Sequence, residues 1–227
     1  MSRNLLHVVL AGFVAVGLSG CFDLTQKVAV KRDGSGEYTV VLAASGLMGD
    51  ALKNGKSDML KPNKAKTVTR IENGRVIQTS NVTFAKLSDV RLDDEQISLK
   101  VLSRDFFGFG PSHVRFRHVF HVDKARDAHG DETGSMGRDV MASIFGDHVY
   151  AFSVTLPGSI EHIRPVKIAG VEIKPQVTGD FYNGHTVVWR MPLSTALAAD
   201  SITFEVDFSA IGDFNDVRTR DTRQAAL

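Results

Sequence analysis

An apolar run from Leu5 to Leu18, preceded by Arg3, closes on Leu18-Ser19-Gly20-Cys21, and Cys21 is the one cysteine of the 227-residue chain. A positive start, a short apolar segment and a pair of small residues form the pattern of a secretory signal peptide. The run falls short of the roughly 20 apolar residues that a membrane-spanning helix needs. Three constraints on folding follow. Residues 1–20 drop out of the fold, the folded body starts at Cys21, and a chain with one cysteine forms no internal disulfide even where the compartment permits it. Its stability must come from packing.

Those four residues resemble the lipobox of bacterial lipoproteins. The resemblance implies that the Cys21 sulfur takes a diacylglyceryl group, that the peptide is cut before it, and that the new amino end is acylated. A thiol suits this chemistry because its thiolate is the strongest nucleophile among side chains. One acyl chain gives marginal, reversible anchoring at about 0.8 kcal/mol per buried methylene, so two or three chains make it stable. The expected location is therefore the cell envelope, lipid-anchored to a membrane and facing the periplasm or exterior.

Removing twenty residues from 227 leaves 207, a size that suits one domain or two small ones. The chain is 43% hydrophobic with 14 phenylalanines, enough for a sizeable core. Its 27 basic residues nearly balance 26 acidic ones, whereas a nucleic-acid binder carries a basic excess. Acyl chains, rather than surface charge, are thus the predicted hold on the membrane, and nucleic acid is excluded as a partner.

The mature chain reads mainly as strands. Val28 and Val30 alternate with Lys27 and Lys31, Asp33-Gly34-Ser35-Gly36 turns the chain, and Tyr38, Val40 and Leu42 return it, which predicts a hairpin. Leu47, Met48, Ala51, Leu52, Met59 and Leu60 recur at helical spacing, which predicts a helix over 46–60 weakened at Asn54-Gly55. Asn73-Gly74 is a strong hairpin signal, because both turn residues need positive φ. A polar stretch from Ala85 to Glu95 gives way to alternation at Ile97, Leu99 and Val101. Val114, Phe116, His118 and Phe120 then share a face, with Arg115 and Arg117 on the solvated one. After Val149, alternation recurs at Tyr150 to Leu156, Val187 to Met191 and Ile202 to Phe208, in strands read as half-buried and antiparallel.

Candidate functional residues cluster between these strands. Phe106, Phe107 and Phe109 sit among Gly108, Gly110 and Pro111, poor material for a helix and suited either to a lipid-contacting loop or to a turn folded into the core. Met141 and Phe145, with Val140 and Ile144, fall at the spacing of a short amphipathic helix or lid over 138–145. His121, Asp123, Asp127, His129, Asp131 and Glu132 have the side chains of a metal site. They lie in a glycine-bearing polar loop without ligand spacing, so no metal and no cofactor is expected. No Gly-x-Ser-x-Gly elbow is present, and Ser112 and His113, adjacent in a strand, point to opposite faces, so the chain does not read as an enzyme.

The lipobox, the turn Asp33-Gly34-Ser35-Gly36, the stretch Asn81 to Leu87, Val154-Thr155-Leu156-Pro157-Gly158-Ser159-Ile160 and Asn183 to Leu193 with its Gly-x-Thr-Val-x-Trp pattern together resemble the LppM-type bacterial lipoproteins. The resemblance implies an envelope protein with a mixed α and β fold likened to lipid-binding domains, which binds amphiphilic lipids or glycolipids and catalyses nothing. Nothing after Phe208 is apolar enough to span a membrane, unlike relatives that end in a membrane helix. The expected architecture is α+β: a mostly antiparallel, curved β-sheet with two or three helices packed on one face. It occupies residues 21–211, with an insertion around 104–147, and a polar tail over 212–227. The expected partners are the membrane through Cys21, a lipid or glycolipid, and an envelope protein met at a sheet edge or the Phe-rich loop.

Overall fold

The computed structural model describes residues 22–54, 65–92, 95–105, 110–122, 148–180, 184–215, 217–218 and 220–221. Within them the alternating segments do form strands, and the first hairpin joins β1 (Phe22–Val30) to β2 (Gly36–Ala44). Asp33 shapes its turn by accepting from the Ser35 backbone N–H at 3.0 Å and the Ser35 hydroxyl at 2.7 Å. Gly36 opens β2 where a side chain has no room: a Cβ there would stand 2.0 Å from the Ala29 carbonyl oxygen and 2.6 Å from the Phe84 ring. The second hairpin links β3 (Lys66–Glu72) to β4 (Arg75–Phe84) through Asn73 and Gly74, with φ of 49° and 75° as its turn chemistry requires.

From β4 the chain leaves to begin another sheet through β5 (Arg91–Leu92), β6 (Glu95–Arg104) and β7 (Ser112–His121). It returns as β8 (Val149–Leu156) and continues with β9 (Ser159–Ile163), the small hairpin β10 (Val166–Ile168) and β11 (Val171–Ile173), β12 (Gln176–Asp180), β13 (Gly184–Pro192) and β14 (Ser201–Ala210). Two-residue strands β15 (Val217–Arg218) and β16 (Arg220–Asp221) follow. The larger sheet has the order β12-β13-β8-β1-β2-β4-β3 and the smaller one β15-β6-β7-β14-β9. All pairs in both are antiparallel except β1 with β8, which run parallel because the chain crosses to the second sheet and forms β6 and β7 before it comes back.

The sheets pack face to face. Each buries one face of its strands, so β1 contributes Phe22, Leu24, Val28 and Val30, while β14 contributes Ile202, Phe204, Val206 and Phe208. At the centre Phe152 of the larger sheet stacks on Phe204 of the smaller at 4.5 Å between centroids. Trp189 meets Phe204 at 5.0 Å, and His118 meets Phe152 at 4.5 Å. Rings thus fill the interlayer space.

This architecture overturns the expected α+β arrangement of one curved sheet under two or three helices. The described residues contain two large open sheets and two two-stranded ones, a helix at Gly46–Lys53, a five-residue helix at Leu193–Leu197 and a 3₁₀ turn at Leu87–Asp89. The physical reason is that an alternating strand must cover its apolar face, and here another sheet covers it. The first helix stops at Asn54, and of the expected helix over 46–60 the remainder lies outside the described residues, as does the one over 138–145. Part of the polar tail joins the fold: Phe214 is buried edge-on against Phe208, and Val217 pairs with Leu99.

Candidate functional site

Two groups of side chains stand out, one inside the sandwich and one at the start of β1. Between the sheets, Gln26 on β1, Glu95 on β6 and His118 on β7 occupy positions whose strand neighbours are apolar, so their side chains point into the core. Tyr38 donates to Glu95 Oε2 at 2.8 Å, and His118 Nε2 lies 2.9 Å from the same oxygen. The Gln26 amide N–H donates to Glu95 Oε1, and the Tyr150 hydroxyl donates to Gln26 Oε1 at 2.6 Å. A carboxylate in a core is tolerated only where donors converge on it, and this one has three.

The protonation pattern follows from these contacts. His118 turns Nε2 toward Glu95, and its other ring nitrogen, Nδ1, is buried without a hydrogen-bond partner among the described residues. Burial, and after it the Glu95 charge and hydrogen bond, hold the Tyr38 hydroxyl well above the usual phenol range; burial followed by Glu95 does the same to Tyr150. Both are therefore fixed as neutral donors. The His118 side chain has no exposed surface and Glu95 only 4%, so a solute in solution does not reach the pair. The arrangement ties the sheets together across the core; as it stands it offers no seat for a substrate.

The second group clamps the start of β1. The Phe22 backbone N–H donates to the ring of His148 at 3.0 Å, and His148 in turn accepts from the Leu193 N–H through its carbonyl at 2.7 Å. Asp23 accepts from the Val149 N–H at 3.0 Å and from Arg75 at 2.7 Å, while Arg75 also donates to the Ala43 carbonyl at 3.2 Å. Phe22 itself is buried, a contribution of about 1.5–3 kcal/mol against peeling the strand end away. The first two residues after Cys21 are thus fixed to β2, β4 and β8. Asp23 and Arg75 are each about one-third exposed, at 34% and 35%, so their pair adds position more than stability.

The expected site residues Cys21, Phe106, Phe107, Phe109, Met141 and Phe145 lie outside the described residues, as does the polar loop from Asp123 to Glu132. The brackets around them are nevertheless clear. Val122 donates to the Asp200 carbonyl at 2.9 Å, so Val122 and His148, on either side of 123–147, both stand at the sandwich end that holds Phe22. Asp105 donates to the Pro111 carbonyl at 3.3 Å across the Phe-rich loop. Its neighbour Arg104 donates to the Phe214 carbonyl at 2.7 Å, and Asp213 donates to Arg32 at 3.1 Å, so this loop springs from the opposite end, beside the β1–β2 turn. Phe22 and the Asp105–Pro111 bracket thus stand at opposite ends. Among the described residues no cluster of three or more His, Cys, Asp or Glu is placed to hold a metal ion.

The arginines expected on the solvated face of β7 pair across to β14: Arg115 grips Asp207 through two bonds of 2.7 and 2.9 Å, and Arg117 reaches Glu205 at 3.0 Å. Sequence reading missed the Gln26–Glu95–His118 cluster. Its signal was a polar residue at the apolar phase of an alternating strand, visible at His118 between Phe116 and Phe120.

No protein-family model matches the sequence, and no curated protein matches it. Among solved structures the chain is similar to the folded domain of the LppM protein of Mycobacterium tuberculosis, determined by NMR. The two are 14% identical, the match covers 83% of this chain and 91% of that one, and the TM-score is 0.38. That is a weak structural resemblance.

Proposed function

We propose that this chain is a lipid-anchored protein of the bacterial cell envelope that acts as a non-catalytic binding module for a lipid or other amphiphile. The observation that carries the reading is Leu18-Ser19-Gly20-Cys21 at the close of an apolar run, immediately before the first described strand, β1. The non-catalytic part is supported by the burial of Glu95 and His118. Because aromatic rings fill the interlayer space, a ligand would meet the surface or the loops rather than the centre of the sandwich. Met141 and Phe145 belong to the segment bracketed by Val122 and His148, and Phe106, Phe107 and Phe109 to the one bracketed by Asp105 and Gly110.

The test is metabolic labelling with palmitate followed by intact-mass measurement of the membrane fraction. The expected product lacks residues 1–20 and carries acyl chains on Cys21, and Cys21→Ala takes up no label. A protein that keeps residues 1–20, or has an unmodified sulfur, refutes the anchoring. The ligand half is tested by lipid mass spectrometry on the purified protein, where absence of any co-purifying or saturably bound lipid counts against it.

One observation favours a second reading as an assembly partner. β3 is an edge strand exposed on both faces, with Val68 55% and Ile71 59% exposed. An unpaired edge of this kind is a template for strand addition by another protein. A photo-crosslinker at Val68 that captures an envelope protein would support it, and adducts with lipid alone would not.

A further inference from the structure

We infer that the sandwich stands end-on upon the bilayer, with the β3–β4 turn and the Gly46–Lys53 helix at the headgroups; this rests on the proposed acylation of Cys21. The argument is about slack. Cys21 is bonded directly to Phe22, so its Cα lies 3.8 Å from the first strand residue. Phe22 is already paired opposite Ala44 and held by His148, and Asp23 is held by Val149 and Arg75. No spacer is left between the acyl chains and a clamped strand end.

The fold decides what surrounds that point. At the same end lie Ala44 and the helix after it, the Asn73-Gly74 turn, the start of β8 with Val149 40% exposed, and Ile71 next to the turn at 59%. Among the described residues, Lys53 and Arg70 are offset there by Asp50, Glu72 and Asp200, so this part of the surface is near-neutral with scattered apolar side chains. β1 extends away from it by nine residues, about 27 Å at strand rise. The Asp33-Gly34 turn and the bracket of the Phe-rich loop stand at that far height.

The single cysteine makes the test direct. In the full acylated protein the Cys21 sulfur is blocked, so a lone added thiol at Glu72→Cys, Lys53→Cys or Lys31→Cys takes a fluorophore site-specifically. All three side chains are exposed, and the last stands beside the far turn. In phosphatidylethanolamine/phosphatidylglycerol vesicles carrying a headgroup-attached quencher, labels at 72 and 53 should be quenched several-fold more than the label at 31. Inserting ten Gly/Ser residues between Cys21 and Phe22, a spacer of roughly 17 Å, should erase that contrast. Equal quenching at the three positions, or stronger quenching at 31, in a protein whose mass shows acylation overturns the posture alone. A contrast that survives the spacer overturns the short attachment as its cause. An unacylated product overturns the functional reading and the posture with it.

Discussion

Glu95→Ala should be the most costly single change within the sandwich, and its size can be worked from the contacts. The substitution leaves Tyr38, His118 Nε2 and the Gln26 amide N–H without the acceptor they share. Each buried donor left unsatisfied costs about 1–3 kcal/mol, and breaking a buried charged network by removing one partner costs about 3–5 kcal/mol in all. The three losses share one hole and do not add in full, so about 4 kcal/mol is the expected destabilisation. For a urea slope of about 2.5 kcal/mol per molar, this lowers the unfolding midpoint by about 1.5 M. Urea titration followed by fluorescence of the buried Trp189 measures it. Glu95→Gln should cost far less, about 1–2 kcal/mol. Its amide oxygen still accepts from Tyr38 and His118, and the Gln26 amide can turn over to accept its N–H. A midpoint shift below about 0.5 M for Glu95→Ala, or equal shifts for the two variants, would refute the view that this carboxylate is held by three converging donors.

Other outcomes are as specific. Tyr38 and Tyr150 have hydroxyls raised above the ordinary phenol range, so the unfolded chain loses those protons first and the stability they carry falls as pH rises beyond about 10. Absorbance titration should show both ionising only together with unfolding. Asp207 is held below the ordinary carboxylate range, first by its hydrogen bonds from Arg115. Its stability contribution is present above about pH 4 and is lost as pH falls through the lowered value, so the stability gap between the natural protein and Arg115→Met should narrow on acidification below pH 4. Gly36→Ala forces a Cβ against the Ala29 carbonyl and should cost about 1–3 kcal/mol, read as a lower midpoint in urea. His113 is raised by the hydrogen bond it donates to Glu161 and then by Asp105, so its contribution is complete below about pH 6.5 and fades as pH climbs through the raised value. An NMR titration of His113 should show a higher midpoint than in Glu161→Gln.

Local chemistry made much of the fold legible. The turns at Asp33-Gly34 and Asn73-Gly74, and the buried positions Tyr150, Phe152, Val154 and Leu156, follow from residue identity and period alone. The candidate site was less legible. Gln26, Glu95 and His118 are separated by 69 and 23 residues along the chain, and only pairing of the sheets brings them to one carboxylate. Each on its own is an ordinary polar residue in a strand.

The sequence by itself determined which residues turn, which face of each strand is apolar, and where a lipid anchor would attach, because these depend on neighbours within a few residues. The tertiary structure decided what covers those faces. Alternation states that a strand has something to bury without stating against what, and the answer here was a second sheet instead of helices. It likewise decided that β8 runs parallel to β1, and that Phe22 and Arg104 fall at opposite ends. Both depend on how distant segments align, a property fixed only when the whole core closes.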